Sequence, residues 1–361
     1  MGRIVLGTML TASKTMTAAV LHGKEDVKIE RVPVPDLAEG EVLIKVQVAL
    51  TCGTDLKVYR RGYHARMIAP PALFGHELAG VIERVGPGVR GFKPGMRVVA
   101  LNSAPCGACF YCSKHQENLC EDLLFNNGAY AEYIRVPRRI VEKNMLEIPA
   151  DVSLQEAAMT EPLACVLRGL QETGVEAGDS VAVLGAGPIG LMFIQVARAM
   201  GCNVISVVKR DAQVSAAQQM GADDVVQIGK VDSPVEAVRL LSRGRRGADV
   251  VIEAVGRPEA WQWAVDMVRK GGTVNFFGGC AAGTKVEIDT NLLHYSEITL
   301  KASFHHTPDS VRRAFALIAA RKVRPTEYIT GEEPLSRLNE VLRHQMLHRN
   351  GDIKTAIIPG S

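Results

Sequence analysis

Neither sign of charge dominates this chain: 42 lysines and arginines stand against 39 aspartates and glutamates over 361 residues. No basic run and no interleaving of aromatic with basic residues occurs, so the electrostatic footprint of a nucleic-acid surface is missing. No apolar run approaches the length that crosses a bilayer, so no membrane partner is expected. The opening stretch places Arg3 before a short apolar patch but lacks a signal-peptide cleavage pattern, and Leu6 stands where a myristoylation signal needs Ser or Thr. Residues up to Lys14 are read as an extension, with Met9 and Met16 as alternative starts. Internal repeats and low-complexity tracts are lacking as well. What remains is a chain with 47% apolar residues, long enough to bury two domain-sized cores, whose expected partner is a small molecule.

Eight cysteines are present, and four of them crowd between Cys106 and Cys120. In a chain of this size without an export signal, metal ligation in a reducing cytoplasm fits that clustering better than disulfides do. Cys106, Cys109, Cys112 and Cys120 offer four soft ligands in one turn-rich segment, the set for a closed tetrahedral zinc. With every position filled by protein, the expected role is structural. An iron–sulfur cluster could use the same thiolates, but the sequence shows no electron partner for it.

The rhythm of the chain changes near Glu161. From Met16 to about Pro149, short alternating strands (Thr17 to Leu21, Glu41 to Ala49, Leu78 to Val85, Arg97 to Leu101) are broken by Gly and Pro turns, which predicts an antiparallel, barrel-like domain. Afterwards apolar strands alternate with helical stretches. Ser180 to Leu184 precedes a helix from Gly190 to Met200, Asn203 to Val208 one from Gln213 to Met220, and Val250 to Glu253 one from Glu259 to Lys270, with a further strand at Thr273 to Phe277. That alternation predicts an α/β fold with a doubly wound parallel sheet. Amphipathic stretches at Asp309 to Ala320 and Leu335 to His348 are expected to pack back onto the first domain.

Gly185, Gly187 and Gly190, with Pro188 and Ile189 between the last two, form a G-x-G-x-x-G pattern that leaves a predicted strand and opens a helix. In that context it reads as a dinucleotide-binding loop. The first glycine permits the tight turn, the second lets backbone approach a pyrophosphate, and the third lets helix and sheet pack closely, while unpaired amides face the phosphates. The next strand ends at Val208, where a ribose-binding carboxylate would stand, and Lys209 and Arg210 follow it. Cations there attract a 2′-phosphate, so NADP is expected over NAD; the alternative is a solvated Lys–Arg pair with Asp211 reaching the ribose.

Three separate segments carry further donors: Cys52-Gly53-Thr54-Asp55, Gly75-His76-Glu77 and Glu161-Pro162. Singly, each residue has an ordinary explanation as a buried thiol, a core imidazole or a surface carboxylate. Together they make the mixed N/S/O set of an open zinc site, if folding unites them. With the cysteine lobe, the segment Gly128 to Tyr133 and the glycine loop, these motifs make the chain resemble the zinc-containing medium-chain dehydrogenases, the superfamily of alcohol, sorbitol and threonine dehydrogenases, from about Met16 onward.

The resemblance implies a mostly β, GroES-like catalytic domain (residues 1–165 and 306–361) and a Rossmann domain (166–305), with substrate and cofactor meeting between them. It makes Cys52 and His76 permanent ligands of a catalytic zinc, with Glu77 and Glu161 as ligands or exchanging with water. Thr54 would start a proton relay. The alternative is that it stabilises a turn. A carboxylate at position 161 resembles the polyol and threonine branches, so the expected substrate is a secondary alcohol, a polyol or the matching ketone. His115 departs from the glycine common in the lobe. An open zinc position lowers the pKa of an alcohol toward neutrality, which prepares its carbon to release hydride to NAD(P).

His305 and His306 follow the stretch Ile298 to Phe304 and border the expected cleft, either as binders of a polar or phosphorylated substrate or as loop residues. That stretch also resembles the edge strand through which these dehydrogenases pair as homodimers or homotetramers. A threonine-type amino-alcohol dehydrogenase is the second reading and a non-catalytic cofactor-binding protein the third. The retained ligands weigh against the third, and against the zinc-free quinone and enoyl reductases of the superfamily.

Overall fold

The computed structural model describes residues 14–347 and 352–360. The opening extension expected up to Lys14 lies almost wholly outside the described residues.

The first part of the chain is built on a seven-stranded sheet. Its strands run in the order Met145–Glu147, Arg97–Ala100, Leu78–Val85, Val42–Leu50, Lys354–Ile358 and Ile329–Pro334, and Tyr133–Val136 adds to Val42–Leu50. Val42–Leu50 is buried along nearly its whole length, with only Lys45 exposed and Gln47 half-buried. A second sheet pairs Asp26–Pro33, Thr15–Gly23 and Ala72–Leu73. The end of the chain does return to this unit: Ala356 pairs with Leu50 and Ile357 with Ala49.

The later part is a six-stranded, all-parallel sheet. We number its strands β1 (Ser180–Leu184), β2 (Asn203–Val208), β3 (Asp224–Gln227), β4 (Ala248–Glu253), β5 (Val268–Phe276) and β6 (Thr299–Ala302). Their spatial order is 3-2-1-4-5-6. This is the Rossmann arrangement of two mononucleotide-binding halves, whose ligand lies where the order reverses at β1. Alternate residues face two cores. Val181 and Val183 join the core shared with the first part of the chain, and Ala182 and Leu184 join the core under helices Pro234–Leu241 and Pro258–Met267. The period of two explains why each strand reads as an unbroken apolar run.

Helix Thr160–Gln171 links the two parts, burying Leu163, Val166, Leu167 and Leu170 against both. Helix Pro308–Ala319 packs on it through Val311, Ala314 and Ile318. Helix Leu338–Leu347 buries Leu338 and Leu342 in the first sheet's core; His348, its expected end, lies outside the described residues.

Some boundaries differ from the sequence expectation. The helix after the glycine loop starts at Pro188, since proline suits a first helical position whose N–H has no partner. The helix expected from Glu259 to Lys270 stops at Met267, and Arg269 and Lys270 belong to β5. Parallel pairing of Val268 with Ala248 and the Arg269–Asp249 ion pair fix that segment as strand, a tertiary constraint invisible to helical periodicity. The stretch Ile298 to Phe304 forms a strand only over Thr299–Ala302, at the sheet edge.

Candidate active site

Cys52 caps helix Gly53–Arg61. Its thiol accepts from the Thr54 N–H at 3.4 Å, and its own N–H donates to Asp55 Oδ2 at 3.0 Å. Thr54 is half-buried beside it. Gly75 has φ 88°, and a Cβ on it would press against the Tyr130 ring at 2.5 Å, so this glycine permits the turn that presents His76. Cys52, His76 and Glu77 thereby place one ligand atom each within 4.8 Å of the others.

Buried Asp55 orders the cluster. It receives His76 Nδ1 at 3.0 Å and the Tyr130 hydroxyl at 2.6 Å. The remaining His76 nitrogen, Nε2, is left for a ligand. Burial disfavours a charged His76, but the Asp55 carboxylate and Cys52 overcome it and raise the imidazole well above its ordinary value. The same negative surroundings favour a metal cation.

Glu77 Oε2 accepts from the buried Lys354 ammonium at 2.5 Å, and Lys354 also donates to the Thr51 carbonyl at 2.8 Å. Glu77 Oε1 is buried with no partner. An acceptor in that state suits a bound cation, so the donor set fits zinc.

Glu161, in the first turn of helix Thr160–Gln171, falls into a different group: its ligand atom lies within 4.8 Å of those of His305 and His306. Burial pushes its carboxyl up to about 7. Asn102 donates to Glu161 Oε1 at 3.2 Å and accepts from His306 Nε2 at 3.0 Å. His305 Nε2 lies 2.5 Å from Ser103 Oγ.

Cys106, Cys109, Cys112 and Cys120 converge as the spacing suggested. The recorded Sγ–Sγ separations are 3.9, 3.6 and 3.8 Å. Bonds of about 2.3 Å to one tetrahedral zinc require edges of about 3.8 Å, far beyond disulfide length. Backbone N–H groups of Cys112 and Glu121 pull the Cys109 thiol down to about 6, whereas burial pushes Cys120 up to about 12. A dication is what would hold all four as thiolates together.

At the glycine loop Gly185 has φ 94°, and a Cβ on Gly190 would lie 1.8 Å from the Gly185 carbonyl oxygen, an impossible contact. Gly187 caps the helix and faces open space, where a pyrophosphate can approach. Pro188 and Ile189 open that helix. Val208 is buried at the end of β2, Lys209 is exposed and Arg210 half-buried. Asp211 Oδ1 accepts from Gln227 at 2.7 Å. Gln213 ties this turn to the glycine loop, accepting from the Lys209 and Arg210 N–H groups and donating to Ala186 O.

Asp55, Asn102, Tyr130 and Lys354 had no role in the sequence reading. Asp55 and Tyr130 lie inside segments that it singled out, but only the fold turns them toward His76; nothing in the sequence points to Lys354.

Residues 38–149 match the family described as "Alcohol dehydrogenase GroES-like domain" and residues 188–320 the family "Zinc-binding dehydrogenase". Sorbitol dehydrogenase of Bacillus subtilis (strain 168) is 31% identical over 356 residues, 97% of this chain and 99% of that protein. The chain belongs to the zinc-containing medium-chain dehydrogenases. Membership makes it a zinc-dependent oxidoreductase that moves hydride between an alcohol carbon and NAD(P). L-threonine 3-dehydrogenase of Bacillus licheniformis is 38% identical over 259 residues, 70% of this chain and 73% of that protein. Among solved structures, a zinc-binding dehydrogenase of Sinorhizobium meliloti 1021 bound to NADP superposes with TM-score 0.87 at 31% identity, covering 96% of this chain and 100% of the other. Among the described residues no helix is long and apolar enough to cross a membrane.

Proposed function

We propose that this dehydrogenase acts on a secondary alcohol or polyol, or on the matching ketone, with NADP preferred over NAD. The convergence of Cys52, His76 and Glu77, with Asp55 fixing the imidazole, carries the reading. Cys52 and His76 would hold the catalytic zinc, with Glu77 and Glu161 as ligands or in exchange with water. Once bound, the zinc supplies a Lewis acid that makes an alcohol proton easier to remove. Asp55 holds His76 in the tautomer that leaves Nε2 to the metal, and Lys354 holds Glu77 in place. The Thr54 hydroxyl, two residues after the Cys52 cap, is the group to take the alcohol proton first. Glycines 185, 187 and 190 seat the dinucleotide.

The cysteine lobe holds the second, structural zinc in this reading. The division into residues 1–165 with 306–361 and residues 166–305 is part of the same proposal, as is a homodimer or homotetramer formed through the edge strand β6, which presents exposed Thr299, Lys301 and Ala302. Cofactor choice draws support from Val208, which has no ribose acceptor, and from Asp211, already engaged by Gln227. Sorbitol dehydrogenase as a full-length relative favours the polyol reading; threonine dehydrogenase as a relative over part of the chain keeps the amino-alcohol reading second. An absorbance screen for reduced nicotinamide, with sugars, polyols, cyclitols and 3-hydroxy amino acids against both cofactors, separates them. Turnover confined to 3-hydroxy amino acids would overturn the first reading.

A further inference from the structure

The loop after helix Gly53–Arg61 carries a cation that the protein itself does not neutralise. Its backbone is pinned: the Arg66 and Met67 N–H groups both donate to His64 Nδ1 at 3.2 Å, and His64 bridges to Ile68. Asn127 Nδ2 donates to the Met67 carbonyl at 2.6 Å, which ties this loop to the segment just after Phe125. The Arg66 side chain is held quite differently. It is exposed, and among the described residues no carboxylate pairs with it and none of its N–H donors has a partner. Its one recorded contact is with the Phe304 ring, over which the guanidinium lies 5.7 Å from the centroid. Stacking of that kind limits where the guanidinium goes and leaves its donors for something else.

Arg66 lines a cavity of about 390 Å³ together with Tyr111, Leu119, Glu121, Leu123 and Phe125. A volume of that order holds a small molecule. Two of its neighbours lead back to the site. The Phe125 ring lies 5.3 Å from the His305 ring, and Phe304, under the guanidinium, immediately precedes His305 in the chain. His305 in turn brings its ligand atom within 4.8 Å of that of Glu161. The cavity's cation and the buried polar groups thus share neighbours, with Arg66 at the exposed side.

The charge in this quarter is one-sided. Burial lowers the His64 imidazole, and His76, Arg61, Arg66 and Lys57 lower it further. Among the described residues neither Lys57 nor Arg61 has an ion pair. Glu121 is the acid in the cavity wall, and it too is exposed and does not pair with Arg66. A guanidinium with aromatic backing and unused donors matches the oxygens of a carboxylate or phosphate through paired N–H···O contacts. A neutral polyol offers no charge to meet it.

We propose that Arg66 determines specificity by binding an anionic group, a phosphate or a carboxylate, at the far end of the alcohol substrate. The preferred substrate is then a polyol phosphate or a sugar acid rather than a neutral polyol. This rests on the secondary-alcohol reading of the same cleft and narrows it to a chemical class.

The test uses zinc-loaded wild type, Arg66→Gln and Arg66→Lys with NADP, at one fixed low ionic strength because an exposed contact is screened by salt. The substrates are a neutral polyol, its terminal phosphate and the corresponding aldonic acid, in five- and six-carbon forms. Wild type should turn over one of the two anions with at least tenfold higher kcat/KM than the neutral polyol. Arg66→Gln should lose about tenfold to a hundredfold on that anion, through KM rather than kcat, and Arg66→Lys should recover part of it. The loss should fall on the anion at least ten times more heavily than on the neutral polyol. Whichever anion shows the stronger dependence on Arg66 identifies the group bound. Equal losses on charged and neutral substrates overturn the proposal, as does a wild type that prefers the neutral polyol. Calorimetric titration of the same proteins with the two anions keeps the two readings apart. If no alcohol is oxidised but the anions bind wild type at least tenfold more tightly than Arg66→Gln, the secondary-alcohol reading fails and the anion subsite stands; equal binding removes the subsite.

Discussion

Replacing Lys354 with methionine is the sharpest structural test, because the lysine comes from the far end of the chain and meets the site at one atom. Its ammonium lies 2.5 Å from Glu77 Oε2 and 2.8 Å from the Thr51 carbonyl, with both charged side chains fully buried. Burial alone would lower the lysine pKa, but the Glu77 carboxylate raises it, so the ammonium keeps its charge in the fold. Methionine keeps most of the volume, removes both hydrogen bonds and leaves a carboxylate whose other oxygen has no protein partner. Breaking one side of a buried ion pair costs about 3 to 5 kcal/mol. Lys354→Met should therefore lower unfolding stability by that amount in urea titrations of the chelator-treated protein, where no cation offsets the stranded carboxylate, through a shifted midpoint at constant slope. Lys354→Met combined with Glu77→Gln removes the stranded charge and should come back to within about 2 kcal/mol of wild type. A single variant that loses less than about 1 kcal/mol would refute the argument, as would a double variant no more stable than the single.

Cys52→Ser should abolish turnover and remove one zinc while leaving the unfolding midpoint nearly unchanged, whereas Cys109→Ser should remove the other proposed zinc and mainly lower stability; metal analysis with thermal melts separates the two. Wild type should favour NADP over NAD by about a hundredfold in kcat/KM, from two charge-assisted contacts of about 1.5 kcal/mol each, less where the cations are well solvated. Val208→Asp with Lys209→Ala should move that preference toward NAD; equal efficiency with NAD in wild type would reduce Lys209 and Arg210 to surface charges. Light scattering should show a dimer or tetramer, and a strictly monomeric species would remove β6 as a pairing edge.

The parts of the fold legible in the sequence are those fixed locally. The glycine loop was readable because steric demands at Gly185 and Gly190 act within a few residues, and the cysteine lobe because its four thiols lie in one short segment. Apolar runs announced β1, β2 and β4, since strands buried on both faces need no alternation. The end of the helix at Met267 was not readable: Val268 is apolar enough for either state, and its parallel partner Ala248 lies across the sheet. Strand β3 and helix Pro234–Leu241 were missed because Asp224–Gln227 is short and polar at both ends.

Ligand chemistry was legible by residue type, but the polar residues behind the ligands were not. Cys52, His76, Glu77 and Glu161 read as one set because each can bind zinc; the structure draws the first three within 4.8 Å of one another and sets Glu161 beside two histidines that the sequence left undecided, with His76 and Glu77 still acting on its carboxyl. The difference arises behind the ligands. Asp55 aims His76 from one side, and Asn102 joins Glu161 to His306 from the other. Neither residue is a metal ligand, and Asn102 stands in no motif that draws attention. In this chain the candidate metal ligands advertise themselves by type, while the residues that orient them are ordinary polar side chains. Their influence comes from burial, which forces each of their hydrogen bonds to be made with a particular partner.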